Sequence, residues 1–263
     1  MSCAGTPAAG TSQWRRWLRH LWPLAFWLAV WQLASVVVNQ EILLASPGAT
    51  LRALGELVGT AEFWGSVGTS LGRILAGFFS ATVAGVIFAA LSARFSAVRS
   101  ALAPFVQAVK AAPVASFVIL VLIWVPSRHL SIIISFLMVF PIIYTNVLKG
   151  IAQTDAQLLE MARVFDVRPW RRITHIYVSQ ALAYFQAGCA LALGLCWKSG
   201  IAAEVIGLPA NSIGEHLYEA KVYLDTPDLF AWTLVIIVIS LMFEKVFNAA
   251  LNAAVRRVEE GLS

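Results

Sequence analysis

Long runs without a charged residue constrain this chain more than any other feature of its sequence. Four runs of at least 18 residues contain no Asp, Glu, Lys or Arg, and they cover residues 21–38, 74–93, 130–148 and 176–197. A helix needs about 20 mostly apolar residues to cross the hydrocarbon core of a bilayer. Only 13% of the residues are charged, against roughly 25% in soluble domains. The runs therefore predict a membrane protein and exclude an ordinary soluble fold.

Two weaker segments complete the predicted bundle. Residues 101–125 form an apolar run interrupted by Lys110, and the last segment reaches membrane length only by continuing past Glu244 and Lys245. We therefore predict an all-α, polytopic fold with about six transmembrane helices. The expected organisation is a tail at 1–20, a transmembrane domain at 21–255 with spans at about 21–38, 70–93, 101–125, 130–148, 176–205 and 229–252 and an inner loop at 149–175, and a tail at 256–263.

The distribution of basic residues predicts the orientation of these helices. With the N-terminus inside, the inner segments carry twelve Lys and Arg residues, whereas the outer segments carry three, Arg52, Arg128 and Lys221. Cytoplasmic loops carry an excess of Lys and Arg, so we expect both termini in the cytoplasm. The basic residues are dispersed over helix ends instead of forming one stripe, and the net charge of +5 therefore does not indicate nucleic-acid binding.

Small residues and prolines predict how the helices pack and bend. Small residues stand four positions apart in three pairs: Gly68 and Gly72, Ala81 and Gly85, and Ala190 and Gly194. This spacing places both members on one helix face and favours close packing. Bends are expected at Pro104, Pro113 and Pro141. In the outer loop, Ser46-Pro47 predicts the start of a short amphipathic helix.

The inner loop 149–175 has the pattern of two short helices that meet at an elbow. Thr154 and Gln157 match a capping box, which predicts a helix with Thr154 as its N-cap. Pro169 is suited to the first turn of a second helix. The break between them is expected near Asp166.

The sequence contains no pattern for catalysis or metal binding. It has no G-x4-G-K-[ST] phosphate loop and no cluster of His, Cys or carboxylates at metal-ligand spacing. Cys3, Cys189 and Cys196 form neither a CxxC motif nor a Cys/His group, so they predict no zinc site or disulfide framework. We therefore expect no catalytic residues, no metal and no bound cofactor.

Four residues inside the apolar spans are candidates for a translocation pathway: Lys110, Trp197, Lys198 and Glu204. A charge at bilayer depth costs at least ~2.5–3.5 kcal/mol, so such residues usually face the bundle interior or a wet cavity. One interpretation is a cationic pathway for an anionic solute. For the lysines, the alternatives are salt bridges between helices, snorkelling or a position near the membrane surface. For the tryptophan, they are packing or interfacial anchoring.

The inner loop resembles the EAA loop of permease subunits of binding-protein-dependent ABC importers, whose pattern is E-A-A-x3-G-x9-I-x-L-P. Glu160, Ala162 and Ile176 match it, whereas Asp166 stands at the Gly and Ser179 at the Pro. Met161 replaces the second residue of the motif. The segment Ser70-Leu71-Gly72-Arg73 and the spacing of seven from Trp197 to Glu204 resemble the nitrate/sulfonate/taurine branch of this family.

The resemblance implies an ABC type I importer permease, a multi-pass protein of the bacterial inner membrane surrounded by lipid. Such a permease forms a dimer, with a homodimer as the expected form, and moves a small, anionic solute by alternating access. A cytoplasmic ATPase partner uses ATP and Mg, and an extracytoplasmic binding protein delivers the solute. The alternatives from other classes are a stand-alone secondary transporter or channel, and a membrane-embedded enzyme.

The resemblance also assigns an ATPase-coupling loop, formed by Glu160, Met161, Ala162, Arg163, Asp166 and Ile176. Glu160 is expected to make polar contacts with the ATPase, and Ala162 to allow its close approach. Asp tolerates the left-handed conformation that Gly would adopt at the break. Asp166 is therefore expected to preserve the elbow, and also to cap the second helix.

Overall fold

The computed structural model describes the backbone of residues 11–262 and the side chains of residues 22, 23 and 25–257. The described chain is helical, and its helices are α1 (Thr11–Val38), α2 (Pro47–Val58), α3 (Ala61–Arg94), α4 (Ser96–Ala111), α5 (Val114–Leu122), α6 (Ser127–Ala152), α7 (Ala156–Val164), α8 (Pro169–Arg172), α9 (Ser179–Gly207), α10 (Ile213–Val222) and α11 (Thr226–Leu262). A π-helical turn, Ile173–Val178, joins α8 to α9.

Within the described part of the chain, four helical stretches are long and apolar enough to cross a membrane. They are Ala61–Arg94, Ser127–Ala152, Pro169–Gly207 and Thr226–Arg257. The first predicted span lies in α1, where Ala25–Val38 is a shorter apolar helix. Helices also extend into both predicted tails, because α1 begins at Thr11 and α11 reaches Leu262. Residues 1–10 of the first tail, Cys3 among them, and Ser263 lie outside the described residues.

The predicted span 101–125 is two helices instead of one. The axes of α4 and α5 meet at 108° around Ala112 and Pro113. Proline disfavours the helical conformation of the residue before it, and Ala112 is extended, with φ −82° and ψ 143°. Pro104 and Pro141 instead lie inside α4 and α6, which continue through them. The expected bend therefore occurs at Pro113, and it is sharp enough to divide the span.

The core forms where α6 packs between α3 and α9. Gly77 and Gly85 of α3 lie against α6, since an added Cβ would meet Ser135 and the Ile132 carbonyl at the first site and Ile143 at the second. Gly150 of α6 lies against α9 in the same way, since an added Cβ would meet Ala181 and Tyr184. These contacts confirm close packing at the predicted Ala81 and Gly85 pair, whose residues are both buried.

The other two small-residue pairs do not mediate contacts within the described chain. An added Cβ at Gly68, Gly72 or Gly194 would have no neighbour within 4 Å. Sequence spacing identifies a smooth helix face, but the fold determines whether another helix covers it.

The short helix α2 begins as its sequence predicts. Ser46 is the N-cap and its hydroxyl accepts a hydrogen bond from the Ala49 amide at 3.2 Å. The helix packs against α11. Nearby, the Trp31 ring donates to the Ala45 carbonyl at 3.0 Å and stacks on Phe230, which ties α1 and α11 to the start of α2.

We predict that Gly85→Val destabilises the protein by about 1–3 kcal/mol, the usual cost of overpacking a tight core. The added side chain would overlap Ile143 and approach the Tyr144 amide. Gly72→Val is the matched control, because its Cβ would meet open space on the same helix. Thermal unfolding of the purified protein in detergent should show a lower midpoint for Gly85→Val only. Equal midpoints for the two variants would contradict the close packing of α3 on α6.

Candidate functional site

The predicted elbow exists, but its first helix begins one residue later than expected. Asp155, not Thr154, is the N-cap of α7, and its carboxylate accepts a hydrogen bond from the Gln157 amide at 2.8 Å. The Thr154 hydroxyl is buried and has no hydrogen-bond partner among the described groups. Asp and Thr both cap helices, and the carboxylate forms the stronger, charge-assisted bond. The capping-box prediction therefore located the helix and misassigned its cap.

The first helix of the elbow ends in a Schellman motif at Asp166. Asp166 has φ 47°, in the left-handed region. Its amide donates to the Arg163 carbonyl at 3.2 Å, and the Val167 amide donates to the Ala162 carbonyl at 2.9 Å. These two bonds satisfy carbonyls that the end of α7 leaves free. The prediction that Asp166 adopts the conformation of the family's Gly is confirmed.

The second helix begins at Pro169, as predicted, but Asp166 does not cap it. Arg168 is the N-cap residue of α8 and makes no side-chain capping bond. Asp166 terminates the preceding helix, and its left-handed backbone directs the chain out of α7. One residue cannot serve as both the C-terminal turn of α7 and the N-cap of a helix that begins three residues later.

The elbow exposes some candidate coupling residues and buries another. Glu160 and Arg163 are exposed, and Met161 is half-exposed. Ala162 is only 1% exposed, and its carbonyl lies 3.5 Å from the Arg172 Nη2 atom. The Ala162 side chain is therefore buried within the single chain, and its expected role in the close approach of the ATPase stays a prediction. Ile176 is half-buried in the π-helical turn.

Large apolar side chains lie on the outside of the elbow. Val164 is 81% exposed, and Phe165 and Trp170 are each 74% exposed. Exposed apolar side chains of this size, when contiguous, mark interaction sites. The sequence motif did not single out these three residues, although their position beside it was a usable signal.

The structure places the four candidate pathway residues in two different environments. Lys198 is exposed on α9, and neither of the two salt bridges among the described residues involves it. Lys110, also exposed, donates to the Thr145 hydroxyl of α6 at 3.2 Å. Trp197 is 3% exposed and Glu204 is fully buried. The structure therefore does not bring the four together, and the faces of α9 that carry Lys198 and Glu204 differ.

Glu204 is the centre of a buried polar cluster near the C-terminal end of α9. Its Oε2 atom accepts a hydrogen bond from the Ser70 hydroxyl of α3 at 2.6 Å. The same hydroxyl accepts from the Ile213 amide at 2.9 Å, in the first turn of α10. The Arg73 Nη1 atom lies 4.0 Å from the Glu204 Oε1 atom, and Nη2 donates to the Ala210 carbonyl at 3.3 Å. Glu204 therefore has an arginine of α3 at ion-pair distance, whereas neither Lys110 nor Lys198 forms a salt bridge among the described residues.

Ser70, Arg73 and Gly214 belong to this cluster, although no sequence pattern predicted them as site residues. Ser70 and Arg73 lay in the segment that resembles the family, so a signal for them existed. Gly214 permits the close approach of α10, since an added Cβ would overlap the Glu204 backbone and Cβ.

Across the described residues, no group of three or more His, Cys, Asp or Glu side chains is arranged to hold a metal ion.

Comparison with known proteins places this geometry in a family. A family model described as the binding-protein-dependent transport system inner membrane component matches residues 81–260. The chain belongs to this family. The matched residues include the elbow, the long helices α6 and α9, and all but the last two residues of α11. This membership confirms the predicted all-α, polytopic permease fold.

Curated relatives match this permease over most of its length. The putative aliphatic sulfonates transport permease protein SsuC of Escherichia coli (strain K12) is 30% identical over 76% of the chain and 76% of its own length. Its namesake in Bacillus subtilis (strain 168) is 25% identical over 85% of the chain and 81% of its own length. The taurine transport system permease protein TauC of Escherichia coli (strain K12) is 24% identical over 84% of the chain and 82% of its own length.

Family membership confirms the function predicted from the resemblance. The chain is a permease subunit of a binding-protein-dependent ABC importer, in the branch that includes the sulfonate and taurine permeases. It is thus a transporter subunit and not an enzyme, and the family implies association with an ABC ATPase and a solute-binding protein.

We predict that Asp166→Val opens the elbow, whereas Asp166→Gly does not. A left-handed backbone costs an L-residue about 1–2 kcal/mol, and β-branched residues tolerate it worst. Hydrogen exchange at the Asp166 and Val167 amides of the native protein, which form the Schellman motif, should be roughly 5- to 30-fold faster for Val at position 166. In Asp166→Gly, the same two amides should exchange no faster than in the native protein.

The matched control is Arg168→Val, because Arg168 is exposed and has an extended backbone that accepts a β-branched residue. Similar exchange rates for the Val and Gly variants at position 166 would show that the left-handed turn does not hold the elbow together.

Proposed function

We propose that two copies of this permease assemble in a bacterial inner membrane and import a small anionic solute by alternating access. Separate ATPase subunits, which use ATP and Mg²⁺, dock on the elbows, and an extracytoplasmic binding protein delivers the solute. The observation that carries this proposal is the elbow itself, a basic segment with an exposed apolar surface inside the region that matches the family.

The elbow surface has the composition of a protein-binding site. Phe165 and Trp170 are large aromatic side chains of the type that dominates binding energy at interfaces. Glu160 and Arg163 are exposed beside them and supply polar contacts for the rim. The excess of basic residues in this segment supports a cytoplasmic position, with both termini on the same side.

The proposed cycle moves the elbows together with the ATPase subunits. ATP binding closes the two ATPases, and the displaced elbows open the path between the two permease copies towards the binding protein. Hydrolysis then returns the path to the cytoplasmic side. Such a change is a rigid-body rearrangement about an interface, which suits an elbow with a fixed bend.

We predict that replacing Phe165 and Trp170 together with Asp abolishes docking of the ATPase. Truncation of a hot-spot residue costs about 2 kcal/mol or more, or roughly 30-fold in affinity. Affinity purification from membranes in mild detergent, followed by mass spectrometry, should recover the ATPase with the wild type and not with this variant. Glu160→Lys should lower recovery of the ATPase less than the double variant does.

The matched control is Tyr223→Asp, a change at an equally exposed aromatic residue after α10. It should leave recovery of the ATPase unchanged. Recovery of no ATPase with the wild type under several detergent conditions would contradict the proposed coupling, and full recovery with the double variant would show that docking occurs elsewhere.

Lys198 supports an anionic solute and a second permease copy. Leu191, Leu195 and Lys198 lie on one face of α9, and all three are exposed in the single chain. An uncompensated lysine at this depth costs at least ~2.5–3.5 kcal/mol in lipid. We infer that this face borders the aqueous path between two copies, and that lipid covers other exposed apolar faces. Glu204 does not neutralise Lys198, because the two side chains lie about 120° apart around α9 and Glu204 binds Ser70 of α3.

The relatives favour the same class of solute. Their names refer to aliphatic sulfonates, taurine and, for a 28% identical protein of Synechocystis sp., bicarbonate. Sulfonate and bicarbonate groups are anions. We propose that Lys198 and Lys110 attract such a group along the path, whereas Trp197 and Glu204 hold α9 in place from within the protomer.

We predict that Lys198 makes its surroundings selective for anions. In a variant without native cysteines, Leu195→Cys places a thiol one turn from Lys198, where anionic and cationic water-soluble thiol reagents can be compared. A charge 4 Å away contributes about 1 kcal/mol even in water, or roughly fivefold in rate. Lys198→Gln should therefore lower the anionic-to-cationic rate ratio about fivefold or more.

Lys221→Gln, which removes an exposed lysine from α10, should leave that ratio unchanged. Failure of both reagents to reach the thiol would mean that lipid or protein covers this face, and the pathway proposal would be wrong. Equal reaction with both reagents, insensitive to Lys198→Gln, would remove Lys198 from the path.

A further inference from the structure

The two ends of α7 are held by one neighbouring helical stretch. At the first end, the Asp155 amide donates to the Gln180 side-chain oxygen at 3.2 Å. At the second end, the Arg172 Nη2 atom lies 3.5 Å from the Ala162 carbonyl oxygen and 3.4 Å from the Val167 carbonyl oxygen. Both side chains are half-buried. The coupling helix is therefore attached by side chains as well as by its chain connections.

Arg172 and Gln180 belong to the same long helical stretch, Pro169–Gly207, which we call the lever. The segment Pro169–Gly207, which includes α8, the π-helical turn and α9, is continuous over 39 residues. At 1.5 Å per residue it is roughly 58 Å long, enough to cross the whole membrane. Arg172 and Gln180 lie near its elbow end, whereas Lys198 and Glu204 lie near the other end.

The covalent connection from α7 to this lever is short and turns sharply. The left-handed residue Asp166 is followed by Val167 and the extended residue Arg168 before the helix begins. A non-helical link of this kind permits α7 to pivot, because each residue contributes two soft backbone dihedrals. The bonds from Arg172 cross the bend, and the bond from Gln180 fixes the far end of α7, so together they oppose a pivot.

We propose that Arg172 and Gln180 are positioning residues that attach α7 firmly to the stretch Pro169–Gly207. A displacement of α7 then moves the whole stretch, including the part of α9 that carries Lys198. They act through the two helices and not on the solute. The proposal rests on the proposed function of the elbow, and it adds how the motion is transmitted from α7 into the membrane.

The chemistry of the two residues suits this role. The planar guanidinium of Arg172 bridges two carbonyls with one nitrogen, and its positive charge lies at the C-terminal, negative end of the α7 dipole. Gln180 accepts from an amide of the first turn region of α7, which has no partner inside the helix. At the opposite end of the lever, the bond between Glu204 and Ser70 joins α9 to α3.

The test compares hydrolysis with movement in the intact complex of permease and ATPase. The variant Arg172→Met/Gln180→Met keeps unbranched, helix-compatible side chains and removes both sets of hydrogen bonds. The reporter is Leu195→Cys in a protein without native cysteines, labelled with a water-soluble maleimide with and without a non-hydrolysable ATP analogue. Recovery of the ATPase and its rate of ATP hydrolysis are measured on the same samples.

We expect the analogue to change the labelling rate in the wild-type background several-fold. The double variant should recover the ATPase and hydrolyse ATP within twofold of the wild type, while its nucleotide-dependent change in labelling falls at least fivefold. Arg172→Lys, which keeps the charge and loses the planar fork, should retain part of the change. Arg99→Met/Gln107→Met is the matched control, because both residues are exposed on α4, and it should behave as the wild type.

Other outcomes overturn the proposal. An unchanged labelling response in the double variant would show that this attachment does not transmit movement, and loss of ATPase recovery would show that the two residues only build the docking surface. If the double variant does not fold, Gln180→Met alone decides by the same criteria. A wild-type complex that binds ATPase but shows no response to the analogue also overturns it. A wild type that recovers no ATPase instead contradicts the proposed function.

Discussion

The close contact of α6 with α3 and α9 is the constraint on which the rest of the structure depends. Inside a bilayer, helices gain little from the hydrophobic effect, so they associate by van der Waals contact between smooth surfaces. Gly85 of α3 and Gly150 of α6 provide such surfaces, because a Cβ at either position would overlap the neighbouring helix. With this packing set, α9 presents one side to the protein interior and the other to its surroundings.

The buried carboxylate of Glu204 follows from that arrangement and adds to it. A carboxylate removed from solvent is stable only with hydrogen bonds or a cationic partner. Ser70 and Arg73 of α3 supply both, and the Ile213 amide extends the cluster to α10. Three elements therefore meet at one side chain. The same geometry leaves Lys198 exposed on a different face of α9, and this exposed lysine is the physical basis for the proposed anion pathway.

The elbow shows how a motif keeps its shape when a key residue changes. The family pattern has Gly where this chain has Asp166, and the backbone is left-handed there all the same. Asp tolerates this conformation better than most residues, and two Schellman bonds at the end of α7 stabilise the turn. Arg172 donates to the Ala162 carbonyl at the same elbow. Ala162 is buried there, whereas the apolar side chains of Phe165 and Trp170 are exposed.

The sequence by itself determined the features that depend on neighbouring residues: the apolar helices, the Ser46 cap, the start of α8 at Pro169 and the left-handed turn at Asp166. Only the tertiary structure decided the 108° bend that divides the third predicted span, the choice of Asp155 over Thr154 as a cap, and the burial of Ala162. It also decided that Glu204 pairs with residues more than 130 positions away in the sequence. Helix formation and capping are local, so a short sequence window is enough to predict them. The partner of a buried charge and the exposed face of a helix depend on how distant segments pack, which no local pattern contains.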